Sequence, residues 1–394
     1  MKTPRPRSLD PYLSIENFGP IKKASVEFGD LTVLVGPQAA GKSVFLQVLK
    51  LLVDTAHIKR EFDRSGVDWQ GDFKQFLDVY FGEGMRSVWT EKSFLDFGGM
   101  AGFSLSEFVE AAKSRAGESM FFIPAQRVLA LRDGWPSAFN YYDASVPFAL
   151  REFSEQLRLL VSDMASEGTL FPVPRRLKTE FKDLLQQHVF GGYSLEVDHQ
   201  RAQKRLVLKS AGGEGSLPVA VWSAGQREFV PLLLGLYWLM IPAGAPRRRG
   251  VEWVVIEELE MGLHPRAITV VLLMVVELMA RGYRVCLSTH STQVLEAVWV
   301  LRNLRASASS PTRLLKLFDA PENPPMLEMA KKALKKDVRV YYFERDKIAR
   351  DISDLDPGAE DSVENAWGGL TEFSGRANEA VARAVADSKN FLEK

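Results

Sequence analysis

The residues GPQAAGKS (Gly36–Ser43) fit the spacing G-x-x-x-x-G-K-[ST]. Small residues at that spacing let backbone N–H groups turn inward around phosphate oxygens, and the run ends in one ammonium and one hydroxyl. Gly36, Pro37, Gln38, Ala39, Ala40, Gly41, Lys42 and Ser43 are therefore expected to cradle a nucleotide's phosphates. Lys42 is expected to reach the β- and γ-phosphates, and Ser43 to ligate Mg2+. The competing reading is an ordinary strand-to-helix turn. The flanks argue against it. LTVLV (Leu31–Val35) is an apolar run of the buried-strand kind, and beyond the loop Val44, Phe45, Val48, Leu49 and Leu52 share a helical face. A helix N-terminus placed there adds partial positive charge.

Two later strand ends carry further chemistry. VVIEELE (Val254–Glu260) delivers adjacent carboxylates to the edge where open α/β sheets bind ligands. Glu257 would hold the metal's water shell, and Glu258 would orient or deprotonate an attacking water. LSTHS (Leu287–Ser291) places His290 at a similar edge, where a neutral imidazole can hydrogen-bond a γ-phosphate or that water. Each has a bland alternative: a solvated acidic loop, or a histidine capping a strand. WSAGQRE (Trp222–Glu228) opens a long apolar helix. Ser223 is a plausible N-cap, Gly225 permits close backbone approach, and Gln226 offers amide hydrogen bonds beside an anion-binding helix end.

Positioning these pieces takes a sizeable core, and the chain has the means. Its 394 residues are 46% hydrophobic and 25% charged, enough for two domains or one domain with an insertion. Fifty basic residues balance fifty acidic ones, so any nucleic-acid surface must be local. Candidates are Arg175–Arg176, Arg247–Arg249, Lys331–Lys332 and Lys335–Lys336, with solvated faces as the plainer reading. One cysteine, Cys286, excludes an internal disulfide framework and reads as a core thiol. The decapeptide MKTPRPRSLD has no apolar core behind it and is not expected to be a secretory leader. The apolar runs Phe229–Ala245 and Ala267–Ala280 fall short of the roughly 20 residues a membrane span needs. A cytoplasmic protein is expected.

In order along the chain, NFGPIKKASVEFGDLTVLVGPQAAGKS, FFIPAQR, IEELEMGLHP and STHS resemble the RecF/SMC/OLD-type branch of ABC ATPases (AAA_15/AAA_21-like). Within it they look most like the ATPase subunits of the Septu and PARIS anti-phage systems, and WSAGQRE resembles the superfamily's signature motif. The resemblance implies an α/β ABC-ATPase head with an antiparallel N-terminal β subdomain and a mostly helical insertion. The expected units are 1–57 with the phosphate loop, 58–220 as the insertion, and 221–394 with signature, acids and histidine. It places Glu257 as the Walker B acid, Glu258 as the catalytic glutamate, His290 as the switch histidine and Gln126 as the Q-loop glutamine. Gly262–Pro265 would form the loop crossing between heads, and Ser223, Gly225 and Gln226 would cover the γ-phosphate held by a second copy.

The implied function is an ATP- and Mg2+-dependent ATPase that forms a homodimer or higher oligomer and controls a separate effector, a nuclease, in anti-phage defence. A RecF-like repair ATPase clamping DNA is the alternative. A transporter's ATP-binding subunit fits the motifs less well, because the chain is long and FGPIK and GLHP point elsewhere. A self-contained nuclease fits least. Glu344, Asp354 and Asp356 are too close in sequence for the βα unit that a Toprim site needs between them.

Overall fold

Leu31–Val35 is buried at every position, as a strand covered on both faces must be, and the architecture is arranged around it. The computed structural model describes residues 11–392 except 70, 113–116, 133, 139–144, 166–167, 174–176, 201–202, 211–214 and 241–246. The N-terminal decapeptide and the Arg175–Arg176 pair lie outside the described residues.

In chain order, β1 (Tyr12–Phe18) and β2 (Ile21–Glu27) form a hairpin, and β3 (Leu31–Val35) runs through the glycine-rich loop into α1 (Lys42–Arg64). Next come α2 (Phe73–Phe81), β4 (Phe94–Phe97), β5 (Met100–Ala101), α3 (Leu105–Ala111) and β6 (Met120–Ile123). A short 3-10 turn, Arg127–Ala130, leads to β7 (Leu131–Arg132), β8 (Trp135–Pro136) and α4 (Phe148–Met164). The chain continues through β9 (Thr169–Phe171), α5 (Thr179–Leu185), β10 (Tyr193–Gln200), β11 (Gln203–Ser210) and β12 (Ser216–Pro218). Then follow α6 (Ala224–Leu239), β13 (Trp253–Glu257), α7 (Pro265–Ala280), β14 (Arg284–Thr289) and α8 (Thr292–Ala306). The last elements are α9 (Pro311–Leu317), α10 (Pro324–Ala333), β15 (Val338–Tyr342), β16 (Arg350–Asp351), α11 (Ser362–Asn365) and α12 (Glu372–Leu392).

The central sheet has the order β16-β15-β3-β14-β13-β6, parallel throughout except for β16 at one edge. Its register aligns the strand ends: Val35 pairs with Thr289 and Tyr342, Ser288 with Glu257, and Ile256 with Ile123. The loops after β3, β6, β13, β14 and β15 therefore all leave from one edge. A second sheet, β2-β1-β4-β5, is the antiparallel N-terminal layer, and a third has the order β12-β11-β10-β9.

Residues 58–220 supply strands as well as helices. That stretch gives the central sheet its edge strand β6, gives the N-terminal sheet β4 and β5, and builds the third sheet. The apolar run of α7 is a core helix whose Glu277 is bonded by Lys178 (2.6 Å) and Arg281 (2.8 Å). Among the described residues, no helix is long and apolar enough to cross a membrane. Cys286 is buried in β14, and burial pushes its thiol pKa far up, as a core thiol requires.

Candidate functional site

Two glycines of the loop after β3 sit where no other residue fits. Gly36 has φ 143°, and a Cβ there would stand 2.0 Å from the Phe343 carbonyl oxygen. Gly41 has φ 97° and would press a Cβ to 2.6 Å from Ile21 Cγ1. Gly41 also caps α1 without any side-chain bond, so the first N–H groups of that helix stay available to an anion. Lys42 folds over its own loop, its Nζ donating to the carbonyls of Gly36 and Pro37 at 2.8 Å each. Burial draws its pKa down to about 8, against the opposing pull of Glu258, Glu260 and Glu257.

Glu257 ends β13, 1% exposed. Its Oε2 accepts from Ala125 N at 3.1 Å, and Ser43 lies close enough to its carboxylate to favour the charged form. Burial raises its pKa, with Ser43 and Ala125 opposing. Its Oε1 is buried with no partner. A serine hydroxyl beside a carboxylate oxygen that lacks a partner is a hard-oxygen donor pair of the kind that suits Mg2+.

Glu258 adopts φ 44°, uncommon for a non-glycine residue. Its N–H donates to Ser288 O at 2.9 Å, and its Oε1 lies 3.6 Å from His290 Nε2. The His290 contact, helped by Lys42 and Arg127, holds the Glu258 carboxyl below the usual range although burial opposes it. Glu260, which sequence reasoning left in a generic loop, fixes the strand end: its Oε1 accepts from Thr289 Oγ1 (2.9 Å) and His290 N (2.6 Å).

A cavity of about 450 Å³ opens over these groups, lined by Gln38–Val44, Glu258 and His290, with Pro20, Met85 and Arg345 farther along. The structure thus brings the phosphate loop, Glu258 and His290 to one cavity, with Glu257 buried beside Ser43. It does not bring Gln126 there. Gln126 is exposed, and its carbonyl accepts from Leu129 N at 2.9 Å in the 3-10 turn. Its neighbour Arg127 is the buried member of the pair, with Nη1 donating to Glu257 O (3.0 Å) and Nη2 to Glu258 O (3.2 Å).

Residues 222–226 do not line the cavity. Ser223 is exposed and caps α6 in a reciprocal box: Gln226 N donates to Ser223 Oγ (3.2 Å), and Ser223 N to Gln226 Oε1 (3.0 Å). Gly225 has a reason within the chain, since a Cβ there would lie 2.9 Å from Gly262 O in the GLHP loop.

Several basic candidates have partners in the chain. Arg247 pairs with Glu252 (3.2 Å), Arg248 stacks 3.7 Å from the Trp238 ring centroid, and Lys336 pairs with Asp30 (2.9 Å). Of the acids weighed as a second nuclease site, Asp354 pairs with Arg302 (2.8 Å) and Glu344 with Lys347. Among the described residues, no group of three or more His, Cys, Asp or Glu is placed to hold a metal ion.

A parallel sheet with a glycine-rich loop, a strand-end acid pair and a histidine at one edge is the arrangement of a P-loop nucleotide-binding fold. The chain belongs to the AAA_21 family, "AAA domain, putative AbiEii toxin, Type IV TA system", whose model matches residues 31–296. No curated protein matches the chain. Among solved structures it is similar to an SMC head bound to the C-winged helix domain of ScpA (TM-score 0.41, 10% identity, covering 86% of this chain and 95% of that one). It is also similar to the SMC head domain from Thermotoga maritima (TM-score 0.36, 10% identity, 86% and 97% covered). A third is the dimeric post-hydrolysis state of the ATP-binding cassette MJ0796 bound to ADP and Pi (TM-score 0.34, 11% identity, 86% and 97% covered).

Proposed function

We propose that this chain binds and hydrolyses ATP with Mg2+, and that ATP-driven pairing or oligomerisation switches a separate effector, a nuclease, in anti-phage defence. The observation that carries the ATPase reading is the sharing of one cavity by the phosphate loop, Glu258 and His290, above a buried Glu257 with an unpartnered oxygen. Lys42 and the uncapped start of α1 bind the phosphates. Ser43 and Glu257 would hold the metal, whose chemistry is charge neutralisation at the β- and γ-phosphates. Glu258, kept ionised beside His290, takes the proton of a water attacking the γ-phosphorus as the bond to ADP breaks. His290 steadies the water or the γ-phosphate oxygens.

The dimer reading is supported by the exposure of Ser223 and by the absence of residues 222–226 from the cavity lining, which leaves the capped start of α6 to a second copy. The family's wording, a toxin of a type IV TA system, is in keeping with an effector-linked role in defence.

Glu258→Gln keeps the side chain's shape and removes the base. Its turnover should fall by about 10²–10⁴ while ATP still binds, and closed assemblies should accumulate in light scattering. Wild-type turnover in this variant would show that another group activates the water. Cells carrying the chain and its neighbouring reading frames should resist phage and lose that resistance with Lys42→Ala. DNA-damage sensitivity without any phage phenotype would favour the repair alternative.

A further inference from the structure

Arg127 is wholly enclosed, and its three guanidinium nitrogens donate to three different backbone carbonyls. Nε reaches Glu228 O (3.2 Å) near the start of α6, Nη1 reaches Glu257 O (3.0 Å) and Nη2 reaches Glu258 O (3.2 Å). A planar fork with fixed donor directions locks three segments together in a way that a single ammonium cannot. The same elements meet again where a Cβ on Gly225 would lie 2.9 Å from the Gly262 carbonyl oxygen and one on Gly262 3.0 Å from Glu228 Cγ.

Glu258 depends on this clamp. Its φ of 44° is held from one side by Ser288, which accepts its N–H, and from the other by Arg127 Nη2 and Met261 N, which donate to its carbonyl at 3.2 and 3.1 Å. A non-glycine residue keeps such a conformation only where its surroundings over-determine it. Loss of the Arg127 bond would leave that carbonyl to Met261 N alone and free the backbone to relax, with the carboxylate turning from the cavity. Because α6 begins at the capped patch of residues 223–226, displacement of that helix is delivered through Arg127 to Glu258.

We infer that Arg127 is a positioning residue that couples engagement of the α6 N-terminus to the placement of Glu258, so that the two nucleotide sites of an ATP-closed pair fire cooperatively. The inference rests on the proposed reading in which Ser223–Gln226 serve a second copy. In such a pair each chain's patch covers its partner's nucleotide, while its Glu258 acts on its own. Arg127 joins those two duties within one chain.

The test compares the full chain with Arg127→Lys and Arg127→Gln, measuring ATP binding, ATP-driven association and turnover against ATP concentration. The unaltered chain should show sigmoidal turnover. The variants should bind ATP and associate normally, with kcat lower by about 10²-fold, as expected for a catalytic group displaced by about an ångström. Their concentration dependence should become hyperbolic. Ser223→Ala should also make the unaltered chain's concentration dependence hyperbolic and leave the form of that of Arg127→Lys unchanged, because both changes cut one linkage. Variants that still fire cooperatively would make Arg127 merely structural and overturn the inference.

Should the variants fail to fold, amide exchange carries the test. An isotope-labelled Lys42→Ala chain, with its own loop empty, is mixed with unaltered chain and ATP. Exchange at residues 257–260 of the empty chain should slow together with that at 223–228, and unchanged exchange at 257–260 overturns the inference. If the unaltered chain never associates with ATP, the second-copy reading fails first and takes the inference with it.

Discussion

Two buried lysines lie on α1 about two turns apart, and they differ in what faces them. Lys50 reaches Asp54 Oδ2 (2.8 Å), Glu152 Oε2 (3.0 Å), Glu118 Oε1 (3.1 Å) and the Met120 carbonyl (2.5 Å). Around it His57 bonds Glu152, and Asp54 accepts from Ser119 N and Met120 N at the entry to β6. Burial works against the charged form of Lys50, but Asp54, Glu152 and Glu118 overcome it and hold its pKa well above the usual value. Lys42 bonds two loop carbonyls and, among the described residues, makes no ion pair. There burial prevails, and its pKa falls to about 8. A buried charge whose partners lie inside the chain pins elements together, whereas one without them is set to receive a partner from outside.

Substituting each lysine by methionine is the broadest way to break that contrast. Lys50→Met leaves three carboxyl groups without their cation and should cost about 3–5 kcal/mol of stability, as removing one member of a buried ion pair does. Lys42→Met should leave the unfolding midpoint unchanged or raised while ATP binding is lost in calorimetry. Equal destabilisation by the two would erase the distinction.

A smaller effect comes from pH. The unliganded Lys42 loses its proton near 8, whereas bound phosphate favours the charged form. ATP affinity should therefore be level below pH 8 and fall about tenfold per unit above it, until the pKa of the complex is reached. A flat affinity up to pH 10 would mean that Lys42 does not grip the phosphates.

The smallest concerns Glu118, where burial, with Lys50 opposing, raises the pKa from 4.5 to about 7. The folded state then holds this proton more tightly than the unfolded chain does. The resulting stability is present below 4.5 and is lost as pH rises towards 7. Glu118→Gln, which can still accept from Gln156, should raise the melting temperature by a few degrees at pH 8 and have no effect near pH 4. A drop at pH 8 would show that the ionised form is needed.

That the loop, the acid pair and the histidine share one sheet edge was legible in the sequence because each part is local. A phosphate loop, an acid pair and a histidine each follow an apolar run, and parallel strands in register bring such ends together. Arg127 was not legible, because its acceptors lie 101, 130 and 131 residues away and no spacing in the sequence marks a fork to backbone carbonyls. PAQR drew attention to Gln126 instead, the exposed neighbour. The Lys50 network was missed for the same reason, with Glu118 68 residues from Lys50. Gly225 was read for phosphate approach alone, because Gly262 is remote in sequence and its carbonyl contact depends on the fold.

That contact also decides how the central claim is best tested. A side chain at Gly225 would collide within its own chain, so Ala224, exposed in the first turn of α6, is the cleaner position. Ala224→Glu keeps the Ser223 cap and suits a helix N-terminus, yet it sets bulk and negative charge against any phosphate arriving from a second copy. This variant should bind ATP without hydrolysing it, and Lys42→Ala should have an intact patch and an empty loop. Mixing the two inactive proteins yields pairs in which the Ala224→Glu chain's nucleotide is covered by the Lys42→Ala chain's patch. ATPase activity appearing only in the mixture is the predicted result, about 10²-fold below the unaltered chain because the firing chain's own patch faces an empty loop. Normal hydrolysis by Ala224→Glu alone would contradict it and reduce WSAGQRE to a helix start.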